Sequence, residues 1–167
     1  MMMNVDGCES LANHRVDDYE LPMLSYQTVL PDDFAEISRI NQQEPYNWPE
    51  AQLYCIMNDV NISVVTAKIA EKVVGYIVYF VVLDEVRIIN FVIDASVRGK
   101  KIGEGLLTDA LRRIREADIR WVLLDVMASN VPAINLYDKL GFKFLCLRSR
   151  YYVEYNYEDA YFMQLEQ

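Results

Sequence analysis

Residues 97–107 read VRGKKIGEGLL and set Arg98, Lys100 and Lys101 directly before an apolar helical run, with Gly99 and Gly103 among them. A helix N-terminus already carries about half a positive charge from its unpaired N–H groups, so cations placed there call for an anion to offset them. The two glycines remove side chains where a phosphate would need close approach to backbone donors, which is the arrangement of a pyrophosphate cradle. A glycine-containing turn with solvated lysines has the same spacing, and the residues alone leave both readings open.

The rest of the composition narrows the chemistry. His14 is the single histidine of the 167 residues and falls in the opening stretch, which argues against a histidine-dependent triad or a histidine-rich metal site. Cys8, Cys55 and Cys146 are odd in number and far apart, so neither a disulfide framework nor a C-x-x-C metal site is indicated, and a reducing cytoplasm is expected. No metal is expected; carboxylates, tyrosines or backbone must do the work. A formal net charge of -9 argues against general nucleic-acid binding, which needs a broad basic face, and is compatible with a cationic partner. The longest apolar run, 73–83, is roughly half of the ~20 residues that span a bilayer and is rich in β-branched and aromatic residues, so it reads as a buried strand and no membrane association is expected.

These residues must be held by a scaffold. Residues 1–20 lack an apolar signal core and read as a flexible extension, leaving one domain over 21–167. A first strand is predicted at 23–29, a helix after Pro31, Asp32 and Asp33, and a short helix after Pro49. Strands suit 62–69, 72–83 and 86–94, forming an antiparallel meander. At Lys101 the period changes: Ile102, Leu106, Leu107, Ala110, Leu111 and Ile114 recur at helical spacing to about Glu116. A strand at 120–127 follows, then a helix at 131–140 with Asn130 as N-cap, Pro132 in its first turn and Gly141 as its stop, then strands at 142–150 and 159–166. This order is an α/β sheet with helices on its faces.

The run INFVIDASVRGKKIGEGLL resembles the acetyl-CoA-binding segment of the GNAT N-acetyltransferases, in which an Arg or Gln is followed by two residues, a Gly, one residue, and a Gly or Ala. Arg98 and Gly103 match; Lys101 stands at the first Gly position, a departure that matters if the backbone there needs a positive φ. The segments VVLDEVRIINFVID, LLDVMASNVPAINLYDKLGF and LRSRYYVEYNYEDAYFMQL extend the resemblance to the branch of the family that acetylates protein N-termini, over residues 24–166.

That resemblance implies the GNAT fold, a mixed central sheet of six or seven strands with helices on both faces. It implies acetyl-CoA as acetyl donor and a protein or peptide N-terminus as acceptor, joined in a ternary complex. Backbone of Phe91, Val92 and Ile93 would hold the pantetheine arm, and the loop Arg98, Gly99, Lys100, Lys101, Ile102, Gly103 and Glu104 the pyrophosphate. Asn130 would lie near the cofactor, besides capping its helix. Asp125 stands where the family branch has a glutamate base; strand alternation puts it on the face of Leu123 and Met127, an acid interrupting an otherwise apolar face, with a solvated strand-end aspartate as the alternative. Tyr137 matches the tyrosine that protonates the departing thiolate, a core tyrosine being the alternative. Tyr46, Trp48, Tyr151 and Tyr152 would border the acceptor, and Glu158 and Asp159 could attract a cationic peptide. Transfer to a small amine, or a non-catalytic acetyl-CoA-binding module, remain the competing functions.

Overall fold

The computed structural model describes residues 23–117 and 119–167. The expected flexible extension at 1–20, with His14 and Cys8, lies outside the described residues. The sheet has seven strands: β1 (Leu24–Thr28), β2 (Ile62–Ile69), β3 (Lys72–Val82), β4 (Glu85–Ile93), β5 (Trp121–Met127), β6 (Lys143–Tyr152) and β7 (Glu158–Glu166), in spatial order β1-β2-β3-β4-β5-β7-β6. Every neighbouring pair is antiparallel except β4 with β5. That parallel pair needs a crossover, and the helix α3 (Ile102–Glu116) supplies it.

The helices divide between the two faces. On one, Ile102, Leu106, Leu107, Ala110, Leu111 and Ile114 of α3 are buried against Val65, Ile77, Val86, Val122 and Leu124, and Tyr137 of α4 (Val131–Lys139) joins them. On the other, Ile37 and Ile40 of α1 (Phe34–Asn41) and Leu53 of α2 (Glu50–Met57) cover Val64, Val73, Tyr76, Val78 and Val92. β3 is buried on both faces, which is why its sequence runs apolar without alternation. The mixed sheet with helices on both faces agrees with the expected fold class, and the antiparallel meander β2-β3-β4 is extended by β1.

The acidic start of α1 does more than complement a helix dipole. Asp33 Oδ1 lies 2.7 Å from Lys68 Nζ on β2, and Asp33 Oδ2 accepts from the Leu30 N–H at 2.8 Å. Both side chains of this ion pair are buried, so each satisfies a charge that would otherwise be costly in the interior.

Candidate active site

The cleft is produced by a strand that bends. β4 and β5 pair through Ile88 and Leu124 and no further. Between β3 and β4, Tyr79 faces Ile88 while Val78 faces Asn90, so Ile89 is an extra residue and β4 bulges there. Beyond this bulge β4 parts from β5, leaving one edge of Ile89–Ile93 without a strand partner. A cleft of roughly 440 Å³ opens between Ile89–Val92 and Asp125–Met127, bounded by Asn41, Glu44, Tyr46 and Trp48 on one side, Asn130 and Tyr137 on another, and Tyr152, Glu154 and Tyr155 across its mouth.

At the open end of β4 the chain turns into α3. Lys101 adopts φ 61° and ψ 9°, and Gly99 φ 78°, so this turn does require left-handed backbone at the lysine as well as at a glycine. The first helical bond of α3 runs from the Gly105 N–H to the Lys101 carbonyl at 3.0 Å, which leaves the amides of Ile102, Gly103 and Glu104 as free donors. Lys100 and Lys101 are exposed beside them.

Three members of the expected cradle also make contacts within the fold. A Cβ on Gly103 would meet Ile93 Cγ1 at 3.3 Å and Phe91 Cζ at 3.5 Å, so this glycine lets α3 pack closely on β4. Arg98 turns away from the helix N-terminus: its Nε donates to the Ile93 carbonyl at 2.9 Å and its Nη2 pairs with Glu44. Glu104 is paired with Lys139 Nζ at 2.7 Å, linking α3 to α4.

The Arg98 pair is one of three links from α1 and the loop after it to this turn. Arg39 Nη2 lies 2.7 Å from Asp94 Oδ2, and the Ala95 N–H donates to Gln43 Oε1 at 3.0 Å. Asp94 also accepts from the Ser96 N–H and hydroxyl, at 2.9 and 2.8 Å. Burial opposes its charge, but those two donors and then Arg39 bring its carboxyl down from 3.8 to about 2.

Tyr137 is buried between Phe142 and Phe91, with ring centroids 5.5 and 6.4 Å away, and reaches the cleft. Among the described residues its hydroxyl has no hydrogen-bond partner. Burial, and secondly Tyr152, push its phenol well above the ordinary value of 10.0, so it holds its proton through the physiological range. Asn130 caps α4 by accepting from the Ala133 N–H at 3.2 Å, which leaves its amide N–H groups unused, and the residue lines the cleft.

Asp125 is neither solvated nor alone on an apolar face; its side chain is 11% exposed. Arg148 Nη1 lies 3.2 Å from Oδ1, Arg87 Nη1 lies 4.0 Å from Oδ2, and the Tyr151 hydroxyl donates to Oδ2 at 3.3 Å. Oδ1 is nevertheless buried without a hydrogen bond, because the approach of Arg148 to it is poorly aligned. Strand alternation identified the face, but the arginines come from β4 and β6, which a pattern within β5 does not reveal.

Of the residues expected at the acceptor border, Tyr46, Trp48 and Tyr152 line the cleft. Tyr46 stands edge-on to Tyr155 with centroids 4.0 Å apart, and Trp48 is held by Asn41, whose side chain donates to the Trp48 carbonyl at 2.8 Å and accepts from its N–H at 3.1 Å. The buried Tyr76 hydroxyl and Asn90 extend this network at 3.3 and 3.4 Å. Tyr152 lines the cleft and donates to the Asp125 carbonyl at 3.4 Å, whereas Tyr151 packs against it at 5.1 Å and faces Asp125. Glu158 and Asp159 are engaged internally, by Ser129 and by the Arg150 N–H at 2.7 Å, rather than aimed at a partner.

The sequence profile described as the Acetyltransferase (GNAT) family matches residues 27–142. A Bacillus subtilis relative with a provisional form of the name ribosomal protein bS18-alanine N-acetyltransferase is 38% identical over 89 residues, which is 53% of this chain and 58% of that protein. The Escherichia coli K12 enzyme of that name is 33% identical over 95 residues, 56% of this chain and 64% of its own length. The chain therefore spans less than two thirds of the length of either relative. An N-alpha-acetyltransferase of Sulfurisphaera tokodaii is 29% identical over 145 residues, 78% of this chain and 86% of that one. The crystal structure of the Escherichia coli ribosomal-protein-S18-alanine N-acetyltransferase superposes with a TM-score of 0.81 at 25% identity, covering 86% of this chain and 94% of that one.

Proposed function

The chain belongs to the acetyltransferase (GNAT) family, and from that membership we propose that it transfers the acetyl group of acetyl-CoA to the N-terminal α-amine of a protein or peptide. The observation that carries this reading is the parted β4–β5 pair, whose cleft has an aromatic border and whose open β4 edge leads into a left-handed cationic turn. GNAT acetyltransferases use acetyl-CoA, and the residues present fit it: free amides at Ile102, Gly103 and Glu104, with Lys100 and Lys101 beside them, suit a pyrophosphate, and the unpartnered edge of Phe91, Val92 and Ile93 suits a peptide-like pantetheine arm. Relatives named alanine N-acetyltransferase and N-alpha-acetyltransferase support an α-amine as acceptor.

The thioester supplies an activated acetyl group; the chain's own residues do the rest. A backbone N–H on the open edge of β4 polarises the thioester carbonyl. Tyr46, Trp48 and Tyr152 pack the first residues of the acceptor and bring its amine to the cleft. A protein α-amine has a pKa of about 7.7–8.0, so an appreciable fraction is already neutral near pH 7 and a modest base suffices. The Asp125 carboxylate receives the proton the amine loses as the C–N bond forms, directly or through one water. Tyr137 gives its phenolic proton to the sulfur as the C–S bond breaks. Asn130 donates to the cofactor from the far wall. Exposed, unpaired Cys55 and Cys146 suit a reducing cytoplasm as the place of reaction, and no helix among the described residues is long and apolar enough to cross a membrane.

Direct attack in a ternary complex is tested by initial rates measured while acetyl-CoA and a peptide are varied together. Intersecting reciprocal plots are expected. Parallel plots would overturn direct attack in favour of an acetyl-enzyme, and calorimetric binding of acetyl-CoA without turnover on any amine would establish a binding module instead.

A further inference from the structure

Two guanidinium groups on the acceptor side are not used by the reaction proposed above. Arg87 on β4 and Arg148 on β6 flank Asp125 on β5, and their Nη1 atoms lie 4.0 and 3.4 Å from the same Oδ2, close enough together for one carboxylate to bridge. Register places them on one face: Asp125 is opposite Phe162, Phe162 opposite Cys146, and Arg148 is two residues from Cys146. The Phe162 ring carries both cations, with Arg148 4.1 Å and Arg87 5.6 Å from its centroid.

The group is incompletely satisfied from within. Each guanidinium has about five N–H donors; among the described residues Arg87 donates no hydrogen bond, and Arg148 donates a single one, at 3.4 Å. Asp125 Oδ1 is buried without a partner. Two cations against one anion leave a local positive excess in a chain of net charge -9. The Arg87 and Arg148 side chains are 36% and 30% exposed, so their unused donors are open to a guest, and a guanidinium fork matches a carboxylate in geometry as well as charge. A guest that engages the unused donors needs a carboxylate for the arginines.

Resting on the acetyl-transfer reading, we infer that the preferred acceptor carries a carboxylate close to its reacting amine, received by Arg87 and Arg148 while the amine meets Asp125. That carboxylate is the side chain of an acidic residue at the start of a peptide, or the α-carboxylate of a free amino acid.

The test compares initial rates on acceptors matched in size. One arm uses C-terminally amidated peptides beginning Ala-Asp against Ala-Asn and Ala-Glu against Ala-Gln; the other uses free alanine against alaninamide. In the arm holding the true acceptor, kcat/KM for the carboxylate member should exceed its amide by about 10- to 100-fold, the scale of a hydrogen bond to a charged group. Arg87→Gln should bring that ratio toward one, and Arg87→Lys, which keeps charge without the fork, should retain part of it; folding of both is checked by melting temperature. Ratios within twofold in both arms of the parent, or a ratio unchanged in both variants, overturn the inference while acetyl transfer stands. Failure of every acceptor to react overturns the transfer reading, and the selectivity with it.

Discussion

Asp94 Oδ2, just after β4, lies 2.7 Å from Arg39 Nη2 on α1, and this pair fastens the helix that precedes the Tyr46–Trp48 loop to the turn before α3. The carboxyl is depressed to about 2 by Ser96 and Arg39 against the opposing effect of burial. A depressed folded-state pKa gives stability that is present above the unfolded value, about 3.9, and is lost as pH falls through about 2. Asp94→Asn should therefore cost about 1–3 kcal/mol near neutrality, the scale of hydrogen bonds to a charged group. The gap to the parent should close between pH 4 and pH 2 in urea denaturation; a gap independent of pH would show that the pair contributes nothing through its charge.

Lys101 sits at φ 61°, where a side chain costs roughly 1–2 kcal/mol and glycine nothing, although glycine gives back part of this as chain entropy. Lys101→Gly should raise stability by about 0.5–1 kcal/mol and weaken acetyl-CoA binding, because a cation beside the free amides is lost. Opposite movements of melting temperature and cofactor affinity are the expected result. A lower melting temperature would mean that the lysine side chain makes a stabilising contact that outweighs its backbone.

Tyr137→Phe keeps the ring against Phe91 and Phe142 and deletes the proton that the phenol holds. Acid assistance commonly contributes ~10²- to 10⁴-fold, so kcat should fall at least tenfold or so while acetyl-CoA affinity and melting temperature stay nearly unchanged. A kcat within about twofold of the parent, with chemistry rate-limiting, would make Tyr137 a packing residue.

The sheet was readable because each element carries its own period: continuous apolar strands at β2 and β3, a change to helical spacing at Ile102, and a cap at Asn130 with Pro132 behind it. The family motifs pointed to the turn after β4, and to Asp125 and Tyr137, which line the cleft. What the sequence concealed depends on strands that meet only in space. Arg87, Asp125 and Arg148 belong to three strands, and nothing local to any of them announces the cluster. Arg98 looked like a phosphate ligand by its place in the motif, yet its side chain finds Glu44 and the Ile93 carbonyl, partners on other segments. The left-handed backbone at Lys101 was hidden because a lysine gives no sign of the φ it adopts.

The central claim is that the acetyl group goes to an α-amine, and product analysis by tandem mass spectrometry tests it most directly. A panel of peptides with free N-termini and internal lysines, incubated with acetyl-CoA and the protein, should be modified on the first residue, and peptides with blocked N-termini should remain unmodified. Acetylation of lysine side chains in the blocked peptides, at rates matching the free ones, would contradict the account.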